Sequence, residues 1–262
     1  MMTILTVSCH PDDIEFMMGG TLLQLKKAGC EIHIINVANG CDGSTTLRPP
    51  EIAAVRRQEA MRSAELLGAV FHESLVDDLE VFYTQDLIRR VTSLVRQVKP
   101  DIVLTLSLED YMDDHMNTAK IAVTATFLRS VGSYRSIPDA PAIFKDVMLY
   151  HSTPHILSDM MRRPIIPEIY VDVTAVIDEK EKLLACHASQ KEWLDATQGF
   201  DSYLTSMRDI TQTVGGMSGG SFRYAEGWRR HSHIGFTRQD CDPLSDILKG
   251  KCAPASASAV RR

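Results

Sequence analysis

Two short stretches hold residues whose types and spacing can do chemistry. The first is Ser8-Cys9-His10-Pro11-Asp12-Asp13-Ile14-Glu15, with a His and an Asp three residues apart across a turn. Pro11 has a fixed φ and stiffens that turn. A His and an Asp so placed can converge on one cation, and Asp12 between them can face a water instead. The plain alternative is that Asp12 or Asp13 caps a following helix, worth about 1 kcal/mol, and that His10 is an ordinary turn histidine. The second stretch, Leu108-Glu109-Asp110-Tyr111-Met112-Asp113-Asp114-His115, carries four acids, a Tyr and a His. Like charges packed this closely are costly unless they are solvated or share a cation. Here the alternative is a solvated acidic loop that caps the next helix.

Taken together, His10, Asp13 and His115 make a two-His, one-carboxylate set. Three such ligands with an open position are a common inventory for catalytic zinc, one ion per chain. Non-haem iron uses a similar triad, so ligand type does not fix the metal. A bound dication brings the pKa of water towards ~7 and polarises a carbonyl, and Asp12 stands ready to take a proton. The set suits metal-assisted hydrolysis of an amide or ester. Phosphoester chemistry is the enzyme alternative, with Asp110 and Asp113 available to a second metal about 4 Å away.

The surrounding elements must bring both stretches to one place. Thr3–Ser8 reads as a buried strand, and Ile14–Ala28 as a helix with Ile14, Met17, Met18, Leu22 and Leu25 on one face. Glu31–Val37 is a second strand closed by Asn39-Gly40, and Pro50–Leu67 a helix with Gly68 as its C-cap. A strand near Val70–Leu75, a helix over Asp86–Val98 and a strand at Ile102–Leu106 follow. This rhythm predicts right-handed βαβ units and a mostly parallel sheet with helices on both faces. Ligands of such sheets sit at the carboxyl ends of the strands, where both stretches fall. Later, His115–Ser130 and Thr174–Ser189 read as helices, and Val147–Tyr150 and Glu168–Val173 as strands. Gly215–Ser221 reads as a mobile loop and residues 253–262 as a disordered tail after a single α/β domain over 1–252.

Composition narrows the function classes. The chain has 262 residues, 44% of them apolar, and a net charge of −6, so it can bury a sizeable core and lacks the basic field of a nucleic-acid binder. No stretch reaches the ~18 apolar residues of a membrane span. The opening Met-Met-Thr-Ile-Leu-Thr-Val has no basic region, so no signal peptide is expected, and six cysteines without a CxxC pair fit reduced thiols in a cytoplasm. A homo-oligomer is left open. The turn after the first strand holds His-Pro-Asp-Asp and not G-x-G-x-x-G, so a dinucleotide is not expected. Gly19-Gly20 inside a helix implies close packing against the sheet or close approach of a substrate. The basic run Trp228–His233 reads as a solvated helix end.

His10-Pro11-Asp12-Asp13 followed by Gly19-Gly20-Thr21-Leu22 resembles the opening signature of the LmbE/PIG-L-like zinc-dependent N-deacetylases. Asp114-His115, Arg56-Arg57-Gln58-Glu59, Asp78, the run from Lys182 to His187-Ala188-Ser189-Gln190, and Tyr224-Ala225-Glu226 resemble later elements of that family, over residues 2–230. The resemblance implies a Rossmann-like sheet and hydrolysis of an N-acetyl group on a small amino-sugar-type substrate such as an N-acetylglucosamine conjugate. It also implies His10, Asp13 and His115 as zinc ligands, Asp12 as general base, and Arg56 and Asp78 on the substrate side, with Asp114 beside His115. One departure stands out. The family usually carries a His where this chain has Met112, and Met donates no hydrogen bond. Losing such an oxyanion donor costs ~10²–10³ in rate, so Tyr111 or His187 is expected to substitute. A catalytically weakened sugar- or metal-binding protein is the non-enzyme alternative.

Overall fold

The structure is a computed structural model that describes residues 1–198 and 203–255. Among these residues, eight strands form one sheet in the order β3-β2-β1-β4-β5-β7-β6-β8. They are β1 (Thr3–Ser8), β2 (Glu31–Asn36), β3 (Val70–His72), β4 (Ile102–Thr105), β5 (Met148–Ser152), β6 (Ile169–Asp172), β7 (Ala225–Arg230) and β8 (Cys252–Pro254). Helices α1 (Asp13–Met17) and α2 (Gly19–Lys27) follow β1, α3 (Pro49–Leu67) follows β2, and α4 (Gln85–Val98) follows β3. Then come α5 (Asp113–Leu128), α6 (Ile177–Leu184), α7 (Ala188–Gln198), α8 (Tyr203–Met217) and α9 (Pro243–Ile247).

Strands β3, β2, β1, β4 and β5 pair in parallel, as the strand–helix rhythm predicts. Ile4, Leu5 and Val7 on β1 and Ile102, Val103 and Leu104 on β4 are fully buried. Those unbroken apolar runs are what a strand covered on both faces requires. The remaining pairings correct the expectation of a mostly parallel sheet. β7 runs antiparallel to both β5 and β6, and β8 antiparallel to β6. The alternation of strand and helix stops after β5. Three helices separate β6 from β7, and β7 then slots between β5 and β6.

Three more local expectations change. The first helix is two, with the break at Met18. A Cβ on Gly20 would lie 2.5 Å from Val173 Cγ1, so this glycine serves packing and not substrate approach, whereas a Cβ on Gly19 would meet nothing nearer than 3.4 Å. In the same place the Gly20 and Thr21 amides donate to the Glu226 carboxylate at 2.8 and 2.7 Å. That puts a negative charge on the positive end of α2. Lys180 Nζ completes this buried cluster at 2.7 Å from Glu226. Gly215 and Gly216 belong to α8 and not to a loop, because a Cβ on Gly215 would press within 2.5 Å of the Arg223 carbonyl. The run from Trp228 starts in strand β7, with the Trp228 indole fully buried. Ala253 and Pro254, expected in the tail, lie in edge strand β8, and residues 256–262 of that tail fall outside the described residues.

Candidate active site at the carboxyl edge of the sheet

β1 and β4 are neighbours, with Val7 opposite Thr105, so the turns leaving them open onto the same edge. After β1 the chain reverses through His10-Pro11-Asp12. Asp12 has φ 112°, a left-handed conformation that few residues other than Gly adopt. The Asp13 carboxylate accepts the His10 amide at 2.7 Å and opens α1. After β4, a loop leads to α5, whose first turn holds Asp114 and His115.

The three donors converge. His10 Nδ1 and His115 Nε2 are 3.3 Å apart. Asp13 Oδ1 lies 3.4 Å from His115 Nε2, and Asp13 Oδ2 lies 3.7 Å from His10 Nδ1. Donors at tetrahedral angles around zinc, each ~2.0–2.1 Å from it, would stand roughly 3.3 Å apart. The far nitrogens face carboxylates: His115 Nδ1 is 3.2 Å from Asp110 and His10 Nε2 is 3.5 Å from Asp114. Such partners fix the proton on the far nitrogen and leave the near lone pair free for a cation. Asp110 is therefore engaged with His115 and not free for a second ion, and Asp113 is exposed outside the cavity. Cys9, His10 and Asp13 also offer donor atoms within 4.8 Å of one another. Burial pushes the Cys9 thiol up to about 11, which keeps it a neutral, weaker donor. Burial would raise the Asp13 carboxyl as well, yet the His115 and His10 imidazoles hold it well below the usual carboxylate range.

Asp12 stands beside this cluster in a different environment. Burial pushes its carboxyl up to about 6, against the pull of the Arg56 guanidinium. Its Oδ2 accepts a hydrogen bond from the Tyr203 hydroxyl, and Arg56 Nη2 is 3.7 Å from Oδ1. A carboxyl titrating near neutral pH beside one held fully ionised is the pattern of a base next to a ligand.

Arg56 is buried on α3, where it donates to the Pro11 carbonyl at 2.6 Å and lies 4.0 Å from Asp78. Gly40 and Gly43 make room for it, since a Cβ on either would stand within 2.7 Å of its side chain. Asp78 accepts the Gly40 and Asp42 amides at 2.6 and 3.2 Å and so holds the loop after β2. Glu59, one turn along α3, accepts the Ser189 amide and hydroxyl at 3.0 and 2.6 Å and ties α7 to α3.

These residues surround a cavity of about 420 Å³. His10, Asp12, Asp13, His115, Arg56, Asp78 and Tyr111 all line it. His187 does not. It is 1% exposed, beneath the wall, and pairs with Glu15 at 3.3 Å, so it cannot stand in for the missing donor at Met112. Two other groups do line the cavity and carry no motif in the sequence: Tyr203 and His155. His155 makes no side-chain hydrogen bond among the described residues, and its ring lies 4.8 Å from that of Phe16, tilted 40° to it. Tyr203 is 191 positions from Asp12, and nothing in local spacing could reveal that contact.

The fold is an α/β domain in which two imidazoles and the adjacent Asp12 and Asp13 carboxylates meet at the sheet's carboxyl edge. Residues 5–126 match the PIG-L family, described as GlcNAc-PI de-N-acetylase. The matched segment is narrower than the resemblance over 2–230, and the motifs from Lys182 onward lie beyond it. The chain is 28% identical over 234 residues to diacetylchitobiose deacetylase of Thermococcus kodakarensis, covering 86% of this chain and 82% of that one. It is 27% identical over 198 residues to 4-oxalmesaconate hydratase of Pseudomonas putida, covering 71% and 73%. The crystal structure of the 4-carboxy-2-hydroxymuconate hydratase of Pseudomonas putida has the same fold, with TM-score 0.74 and 22% identity, over 92% of this chain and 99% of that one. Among the described residues, no helix is long and apolar enough to cross a membrane.

Proposed function

We propose that this protein is an N-deacetylase that hydrolyses the amide of a small amino-sugar-type substrate, with one divalent metal, zinc, held by His10, Asp13 and His115. The observation that carries this reading is the approach of two ring nitrogens to 3.3 Å of each other, with the Asp13 carboxylate holding one oxygen 3.4 Å from His115 Nε2 and the other 3.7 Å from His10 Nδ1, beside a buried carboxyl pushed up to about 6. A dication bound there supplies Lewis acidity and makes water easier to deprotonate. The chain's own residues do the rest. Asp12 accepts the proton of the attacking water and returns it to the departing nitrogen, so that water and amide become acetate and a free amine. Tyr203 and Arg56 hold the Asp12 carboxylate in place. Tyr111 and His155 offer N–H and O–H donors on the wall where Met112 has none. Burial pushes the Tyr111 phenol up to about 12, so it keeps its proton at neutral pH.

The test is release of amine and acetate from N-acetylglucosamine and N,N′-diacetylchitobiose by the zinc-loaded protein, alongside Asp12→Asn. The reading requires turnover that Asp12→Asn loses while keeping its metal. Absence of amine from every N-acetylated sugar at full metal occupancy would rule it out.

A further inference from the structure

The cavity's charges and rings say what kind of molecule enters it. Among the described residues lining it are five carboxylates, Asp12, Asp13, Asp42, Asp78 and Asp110, against a single guanidinium or ammonium group, Arg56. Arg56 is 3% exposed, and its two terminal nitrogens are engaged by the Pro11 and Gly40 carbonyls and face Asp12 and Asp78, so only the buried Nε is without a partner. One such cation does not offset five carboxylates. A bound dication leaves the lining negative, and so does the further loss of the Asp12 charge to a proton. An anionic group would meet like charge in a partly dry site, which costs several kcal/mol in comparable juxtapositions.

The opposite character runs around the same wall. Tyr203, Phe16, His155, Tyr111 and His115 form a chain of rings with successive centroids 5.7, 4.8, 6.3 and 5.8 Å apart. It reaches from the hydroxyl on Asp12 to a donor of the His-Asp-His centre. Leu79 and Ile156 extend it to the mouth, where they are 60% and 45% exposed. An apolar or ring-shaped face of a ligand can lie along this arc, with polar groups needed only at its two ends.

We infer that the substrate is an amide with no anionic group within the cavity, whose apolar or aromatic portion lies along the Tyr203–Phe16–His155–Tyr111 arc. This rests on the deacetylase reading and narrows it to neutral or cationic acylated amines, with phosphorylated and carboxylated sugars excluded. The exclusion also separates this chain from any relative whose substrate is a polycarboxylate.

Three matched probes test it on the zinc-loaded full chain: 4-nitrophenyl N-acetyl-β-glucosaminide, N-acetylglucosamine and N-acetylglucosamine 6-phosphate. Titration calorimetry gives affinities, and amine release gives kcat/KM. The aryl glycoside should bind tightest and the phosphate weakest, at least about tenfold below the free sugar, with the gap shrinking at high salt. Asp42→Lys, at the exposed rim, should narrow the gap between the phosphate and the free sugar, and a gap left unchanged would count against the charge argument. Phosphate binding equal to or tighter than the free sugar overturns the inference, as does failure of all three probes to bind at millimolar concentration. Neutral preference in binding without amine release would sink the deacetylase reading and leave the ligand class standing. Faster turnover of the phosphate would do the reverse.

Discussion

The two halves of the sheet contribute in different ways. From β1 to β5 the strands are parallel, and their carboxyl-end turns supply His10, Asp12, Asp13, Asp110, Asp114 and His115. From β6 onward the strands run antiparallel to their neighbours, and the helices between them supply walls and supports: Tyr203, Gln190, Ser189 and the Lys180–Glu226 pair. The groups proposed to react sit on the regular half, which also supplies Arg56, Asp78 and Tyr111 around them, while the irregular half adds Tyr203 and the tie of α7 to α3. A site is thus dictated in its chemistry by strand ends close in space, and in its fit by segments distant in sequence.

The sharpest way to break this division is to remove a donor from the first half. His10→Ala or His115→Ala should abolish stoichiometric metal binding and turnover while the fold persists, as elemental analysis and circular dichroism would show. Full metal in both variants would refute the centre. Next, Asp12→Asn should keep metal and lose ~10²–10⁴ in kcat, whereas Asp13→Asn should lose metal. The reverse pattern would mean that the roles of the two neighbours are exchanged.

In the second half the expected losses are of stability. Lys180→Met leaves the Glu226 carboxylate buried without its cation, and breaking such a pair costs ~3–5 kcal/mol. Urea unfolding should read that loss, and a midpoint equal to wild type would remove the pair from the account. His151, on β5 at the seam between the halves, tests the same border through pH. Burial pushes it down to about 4, with His231 and Arg229 opposing its charge further, and its Nδ1–H donates to the Leu106 carbonyl. The unfolded chain therefore binds a proton that the folded chain refuses. Stability falls as pH drops from about 6.5 towards 4, by up to ~3 kcal/mol from this one group. His151→Gln should flatten that slope in pH-dependent unfolding, and an unchanged slope would assign the acid sensitivity elsewhere. The smallest effect belongs to Tyr203→Phe, which removes one hydrogen bond to Asp12. It should lower kcat about tenfold with metal retained, as steady-state rates and zinc content would show, and an unchanged kcat would make Tyr203 a wall and no more.

What the sequence could reveal follows the same border. His10-Pro11-Asp12-Asp13 and Asp114-His115 are legible because a strand run ends just before each, and a strand end in a parallel sheet is a fixed address. Arg56 and Asp78 are legible as motif residues, but their joint hold on the Gly40–Gly43 loop is not, since it depends on missing Cβ atoms. Tyr203 and His155 were illegible. Neither lies near its partners in sequence, and a lone Tyr or His carries no spacing. His187 misleads for a related reason: its motif marks the pairing with Glu15 and not a place in the cavity. The antiparallel turn of the sheet was hidden because β6 is a four-residue run whose direction no periodicity encodes, and β7, with Glu226, Gly227 and two arginines, does not read as a strand at all.

The carboxylate of Glu226 has a consequence for the order of events in the cell. It satisfies the first amides of α2, which follows directly on the helix opened by Asp13. On a ribosome, the residues at 10, 13 and 115 emerge more than a hundred positions before residue 226. A growing chain thus carries every donor of the centre while the helix behind them still lacks its anchor and the wall with Tyr203 does not yet exist. If the proposed centre holds a metal, an ion met in that interval would find His10, Asp13 and His115 without the support of a seated α2. Arrival of β7 brings Glu226 to the Gly20 and Thr21 amides, so α2 gains its anchor only after Tyr203 and α8 have been made.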